Sequence, residues 1–309
     1  MRSYTVVGAG AVGLLYGIRL ADAGHPVRWV VRSGADEIRS RGLTLRSPDG
    51  DVAIAPGSLE VFTDPGDAPP SDVVLVALKT TANDMLDRLI GPAVAPGATV
   101  AVFQNGLGVE DAARAAAPRA GSVVGAMCFV CAHRLSPGAV DHLDYGAVTV
   151  GGLAENDPAT EALATDLRES GVVATAVPDL SVARWRKLVW NIPFNGLSVV
   201  LDAGTAEMLA SRSIRRLVTD LMDEVIAAAR ACGSDVDPGF RDEMLATTDA
   251  MTPYAPSMKL DHEAGRSLEI AAIYDAPIAA AAAAGAPMHK VEVLRDQLRH
   301  LDPGSVSRP

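Results

Sequence analysis

The chain has 309 residues, 49% of them hydrophobic and 21% charged, with a formal net charge of -11 and a pI near 5.0. That length accommodates two cores, since domains commonly hold about 100–150 residues, and an acidic balance without a basic cluster argues against a nucleic-acid partner, which needs a concentrated basic face. The chain opens directly on a strand-like run, and its longest alanine-rich stretch, 276–286, contains Pro277 and Gly285 and is too short to span a bilayer, so neither a secretory leader nor a membrane partner is expected and the expected location is cytoplasmic.

Tyr4–Val7 is a β-branched, apolar run that passes straight into Gly8-Ala9-Gly10-Ala11-Val12-Gly13 and then into a segment with helical spacing. The pattern predicts strand, tight turn and helix, the opening of a dinucleotide-binding βαβ unit. There the first glycine makes the turn, the second admits the pyrophosphate to the backbone, and the third lets helix and strand pack closely. The helix N-terminus adds N–H groups and partial positive charge for the phosphates. A second strand, "PVRWVV", follows at the expected distance. An NAD site ends this strand with Asp or Glu for the ribose 2′-hydroxyl; here Val31 is followed by Arg32, whose guanidinium suits a 2′-phosphate. NADP(H) is therefore the expected cofactor, a solvated surface Arg being the competing reading. Asp36 and Glu37 come too late for that role and read as the start of the next helix.

A short helix leads to "LTLRSPDGDVAIAP", which reads as a hairpin around Pro48-Asp49-Gly50. Two continuous apolar runs, "SDVVLVALK" and "ATVAVFQNG", have the character of strands buried on both faces of a parallel sheet. They end at Lys79 and at Gln104-Asn105-Gly106. Ligands of doubly wound sheets sit at the carboxyl ends of strands, so Lys79 and Asn105 stand where a nicotinamide ribose or a substrate would be met; ordinary strand-end polarity is the alternative. Cys128 and Cys131 form a C-x-x-C near His133, but inside a strand-like run, where residues three apart face opposite sides. They read as buried strand cysteines in a reducing compartment, and no metal is expected. Further strands, a helix over 158–170 and a last strand, "GVVATAV", complete an α/β Rossmann-type domain over 1–178.

Beyond Pro178 the periodicity is helical over 181–200, 211–232, 238–250, 265–285 and 287–300, which predicts a mostly α-helical second domain over 179–309. The whole chain has only four lysines and five asparagines, so their positions are informative. In "ARWRKLVWNIPFNGLS", Lys187, Asn191 and Asn195 share one helix face by their i, i+4, i+8 spacing, in apolar surroundings. A buried unpaired amide costs about 1–3 kcal/mol. A cleft holding an anionic, carbonyl-bearing ligand would satisfy all three side chains, as would a polar network between helices. Pro193, between the two asparagines, removes a backbone donor and predicts a kink.

Five segments, "GAGAVG", "VALK", "QNG", "RKLVWNIPFN" and "SMKLDHEAGRSLEI", occur in the order and at about the spacing of the ketopantoate reductases, also called 2-dehydropantoate 2-reductases, and the chain resembles that family over nearly its whole length. The resemblance implies a Rossmann domain joined to a helical domain like that of 6-phosphogluconate dehydrogenase, with NADPH reducing a 2-oxo acid, 2-dehydropantoate first among them, to the 2-hydroxy acid. It implies that Gly8 to Gly13, Arg32, Lys79, Asn105 and Glu269 meet the cofactor. Lys187 becomes the general acid, with Glu269 completing the catalytic network, and Asn105, Lys187, Asn191, Asn195 and Ser257 become substrate ligands. Cys131 falls near a family position that touches NADP through its backbone, although its spacing from Asn105 differs. Where the family usually offers a further substrate Asn, this chain has Thr205. The rival readings are a related dehydrogenase for another 2-oxo or 3-hydroxy acid and a non-catalytic NADP(H)-sensing regulator. A homodimer is the one protein partner that the resemblance leaves open.

Overall fold

Ten of the apolar runs join one sheet in the computed structural model, which describes residues 1–304. The strands are β1 (Tyr4–Val7), β2 (Val27–Val30), β3 (Leu43–Arg46), β4 (Val52–Ile54), β5 (Glu60–Phe62), β6 (Ser71–Val76), β7 (Val94–Val102), β8 (Ser122–Ser136), β9 (Ala139–Gly152) and β10 (Ala174–Val177). β5, β2, β1, β6, β7 and β8 lie side by side and parallel. In chain order these six strands read 3-2-1-4-5-6, the doubly wound dinucleotide-binding arrangement, and the winding reverses between β1 and β6, where such sheets receive ligands. β9 returns antiparallel to β8 and carries β10 and the β3–β4 hairpin.

A single row of paired residues, Val30, Val7, Val76, Val102 and Gly125, closes the carboxyl edge of the parallel strands. This row stops β6 and β7 earlier than the apolar runs suggest. β1 turns away at Gly8, so β6 has no ladder partner beyond Val76, and Lys79 and Asn105 each follow their strand by three residues. Beneath the sheet the helix Ala11–Asp22 buries Leu14, Leu15, Tyr16, Ile18 and Leu20. Gly17 is required there, because a Cβ would lie 2.4 Å from the Trp29 ring.

The chain forms two compact units: Met1–Gln104 with Val109–Leu180, and Ser181 onward with the loop Asn105–Gly108. The second unit is helical. Leu180–Val200 is buried at every position from Leu188 to Val199, the mark of a helix surrounded by others. Arg212–Ala231 turns one apolar stripe inward through Val218, Leu221, Met222, Val225 and Ile226. Two short helices, Thr205–Ala210 and Ser257–Glu263, fall outside the periodicity reading because one to two turns are too few to display a repeat. The expected helix over 265–285 begins only at Ile270 and opens into a π-helical turn, Ala271–Asp275, before Ala276–Ala283. Among the described residues no helix is long and apolar enough to cross a membrane.

Candidate active site

The three opening glycines have three different surroundings. Gly8 has φ +104°, and a Cβ there would lie 2.9 Å from the Ala77 carbonyl oxygen. A side chain on Gly13 would reach 2.0 Å from the Gly8 oxygen, so this glycine brings helix and strand into contact. Gly10 has no atom within 4 Å of where its Cβ would stand, so internal packing does not demand glycine there. That leaves room at the helix N-terminus for a group from outside the chain. Ala11 and Val12 begin the helix, whose first turn holds no acidic residue to oppose an anion. Ala9 is buried beside them.

Arg32 is exposed just beyond β2, and Lys79 is exposed beyond β6 at the start of a short 3₁₀ turn. The nearby acid Asp36 is paired with Arg39 at 3.0 Å.

In the helical unit the structure pairs four of the predicted residues. Asn191 Nδ2 donates to Asn105 Oδ1 at 3.3 Å. Asn195 Oδ1 accepts from the Ser257 hydroxyl at 3.4 Å and from Met258 N–H at 3.3 Å. A backbone N–H needs an acceptor, so the Met258 contact fixes which end of the Asn195 amide is oxygen. Asn191 is 2% exposed and Asn195 1%, so neither amide is a solvated surface group. Lys187, one turn before Asn191, is half-buried and has its Nζ 5.9 Å from the centre of the Trp190 ring. That ring is fixed in turn by Nε1 donating to Thr248 at 3.1 Å and by stacking on Phe194. Glu269 is buried at 4% exposure, two residues before the π turn.

The π turn explains why Asn105 belongs with the helices. Ala276 N–H bonds back to the Ala271 carbonyl, and the next residue, Pro277, has no N–H. The Ala272 carbonyl is thereby left without a donor from its own helix, and Leu107 N–H supplies one at 2.9 Å. Gly106, with φ +104°, makes the approach possible, since a Cβ there would stand 2.5 Å from Ala272 Cβ. Sequence reasoning missed this anchor; Pro277 inside the expected 265–285 helix was the available signal.

The family description "Ketopantoate reductase PanE/ApbA" matches residues 4–155, and its C-terminal counterpart matches residues 179–302. The chain belongs to the ketopantoate reductase family. It is 38% identical over 307 residues to a 2-dehydropantoate 2-reductase from Nostoc sp., covering 97% of this chain and 95% of that one. A crystal structure of 2-dehydropantoate 2-reductase from Geobacter metallireducens GS-15 superposes with a TM-score of 0.91 at 40% identity, over 96% of this chain and 99% of the other. A ternary structure of D-mandelate dehydrogenase with NADH and anilino(oxo)acetate shares the fold with a TM-score of 0.85 at 22% identity, over 98% and 99% of the two chains.

Within this ketopantoate reductase fold, Thr205 is 1% exposed and its hydroxyl donates to the Tyr254 carbonyl at 3.4 Å. The position that departs from the family pattern is thus tied to the backbone three residues before Ser257. Cys128 and Cys131 are both buried in β8, Cys128 in the hydrophobic core that holds Tyr16.

Proposed function

We infer that this ketopantoate reductase uses NADPH to reduce 2-dehydropantoate to pantoate. The observation that carries the reading is its likeness, at 38% and 40% identity and over at least 95% of each chain, to two 2-dehydropantoate 2-reductases.

The residues present fit the cofactor. Gly8 and Gly13 are glycine for internal reasons, whereas the open side of Gly10, at the start of an unopposed helix N-terminus, suits a pyrophosphate. Arg32 suits a 2′-phosphate, and Lys79, Asn105 and Glu269 are the proposed contacts to the nicotinamide ribose. When bound, NADPH supplies a hydride to the keto carbon of the substrate.

Lys187 is proposed to donate a proton from Nζ to the carbonyl oxygen as negative charge builds there, a contact that strengthens in the transition state. Lysine serves this role where arginine cannot, because its proton is labile. Asn191, Asn195, Asn105 and Ser257 are proposed to hold the carboxylate and the other oxygens of the substrate, and Glu269 to orient the ammonium. Thr205, shorter than Asn and tied to Tyr254, narrows what the site offers to the far end of the substrate.

The test is NADPH consumption by the purified chain across a panel of 2-oxo acids, with mass-spectrometric identification of the product. Pantoate from 2-dehydropantoate is expected at the highest kcat/KM. Consumption with none of the acids overturns the assignment, and a better rival acid replaces the substrate while keeping the reaction.

A further inference from the structure

The helix Leu180–Val200 presents Lys187, Asn191 and Asn195 in succession, yet it departs from a regular ladder between the last two. Pro193 has no N–H to give the Val189 carbonyl. One rung on, the Tyr274 hydroxyl donates to the Ile192 carbonyl at 2.9 Å. A side-chain hydroxyl therefore bonds a carbonyl of the helix that bears the site, beside the rung that Pro193 leaves without a donor.

The surroundings are built for this contact. Tyr274 is 0% exposed, and burial holds its phenol well above the ordinary range, so it remains a neutral donor. Residue 196 has to be glycine, because a Cβ would lie 2.6 Å from the Tyr274 oxygen. Tyr274 comes from the π-helical turn Ala271–Asp275. One extra residue in a turn rotates the side chains after it by about 100° around the helix axis, so the wide turn sets the direction of this ring. Asn195 is the residue next to Gly196, and its amide oxygen holds Ser257 and Met258.

We propose that Tyr274 is a positioning residue: its hydroxyl, bonded to the Ile192 carbonyl beside Pro193, holds the helix where its ladder is interrupted and so sets the angle at which Asn195 is presented relative to Asn191 and Lys187. The consequence for catalysis rests on the reading of the chain as a 2-oxo acid reductase. If Asn195 and Ser257 hold the oxo acid, removing the hydroxyl frees the Ile192 carbonyl, turns Asn195 and weakens substrate binding without touching Lys187.

The test is Tyr274→Phe, which keeps the ring and deletes the bond to Ile192. KM for the oxo acid should rise by about tenfold or more while kcat stays within roughly threefold and the NADPH dissociation constant within about twofold. With only five asparagines in the chain, selective ¹⁵N labelling gives a readout independent of turnover. The Asn195 side-chain amide pair should shift in the ligand-free variant, with those of Asn83 and Asn156 unmoved. A lowered melting temperature with unchanged KM and an unmoved Asn195 pair makes the hydroxyl structural only and overturns the proposal. If Tyr274→Phe does not fold, Pro193→Ala, which gives Val189 its donor back, must move the same amide pair; a stationary pair again overturns it. A parent chain that reduces no 2-oxo acid defeats the function assigned above, and the amide shifts still decide the positioning role of Tyr274.

Discussion

Asn195 and Ser257, 62 residues apart in the chain, meet at 3.4 Å, and the same Asn195 oxygen receives the Met258 N–H at 3.3 Å. With its oxygen turned to the protein, this amide has its Nδ2 donor suited to a substrate oxygen, beside a hydroxyl. Ser257→Ala should raise KM for the oxo acid by roughly tenfold, about 1.4 kcal/mol, with little change in kcat, since a hydroxyl of this kind serves ground and transition states alike. Asn195→Asp, which sets a carboxylate against an anionic substrate, should raise KM further. Steady-state kinetics on both variants decides, and an unaltered KM in Ser257→Ala removes Ser257 from the site.

Gly106 should tolerate no side chain. Its φ of +104° disfavours any other residue, and a Cβ would press to 2.5 Å against Ala272. Strain and overpacking of this kind each cost on the order of 1–3 kcal/mol. Gly106→Ala should therefore lower the urea midpoint clearly and reduce turnover by displacing Asn105. Gly108, with φ +76° and nothing within 4 Å, is the control: Gly108→Ala keeps the strain without the clash and should lose less. Equal losses in the two variants would mean that the contact with Ala272 contributes nothing.

Much of this was legible in the sequence, for reasons that can be named. The glycine turn after β1, the buried parallel strands and the face shared by Lys187, Asn191 and Asn195 are local patterns, written in spacing and composition. The hairpin around Pro48-Asp49-Gly50 is dictated by turn chemistry and is present as β3 and β4. What stayed hidden depends on residues distant in sequence. β6 stops at Val76 because β1 turns at Gly8, which no reading of "SDVVLVALK" by itself reveals. The Asn105 loop joins the helical unit because a proline at 277 leaves a carbonyl at 272 in want of a donor. The bond from the Tyr274 hydroxyl to the Ile192 carbonyl left no periodic signal, since a tyrosine in a buried helix otherwise reads as core.

Arg32 should set the choice of cofactor. It is exposed beyond β2, and the nearby Asp36 is paired with Arg39 at 3.0 Å. Binding of NADPH should be tighter than that of NADH by about tenfold or more, roughly 1.4 kcal/mol, and Arg32→Ala should erase most of the difference. Dissociation constants measured for both cofactors by fluorescence titration give the answer, and an intact preference in Arg32→Ala assigns it elsewhere.

Stability should fall in acid through Asp166. Burial alone would raise the pKa of this carboxylate, but hydrogen bonds from Arg2 and the Tyr4 hydroxyl, with His25 at 3.9 Å, hold it below the ordinary carboxylate value. A carboxylate depressed in the folded state contributes stability that is fully present above its unfolded pKa of about 3.9 and is lost as pH falls through the folded value. Asp166→Asn should cost about 1–3 kcal/mol at neutral pH, and its deficit should shrink below pH ~4 as the parent loses the same interaction. Urea denaturation of both proteins across the acid range reads this out. A deficit that stays constant with pH would show that packing, not charge, is what Asp166 contributes.

Lys187 is the residue whose chemistry can be separated from its charge. If its ammonium donates the proton, Lys187→Ala should lower kcat by about 10² or more and leave the NADPH dissociation constant nearly unchanged, because a general acid acts chiefly in the transition state. Lys187→Arg is the sharper substitution. The guanidinium keeps the positive charge beside Trp190, which Lys187 now faces at 5.9 Å, but it does not release its proton at any pH the enzyme meets. It should therefore be nearly as slow as Lys187→Ala while binding the anionic oxo acid better than alanine does. Pre-steady-state NADPH oxidation separates the chemical step from product release in both variants. If Lys187→Arg retains most of the parent rate in that step, electrostatic stabilisation alone suffices and the proton comes from elsewhere.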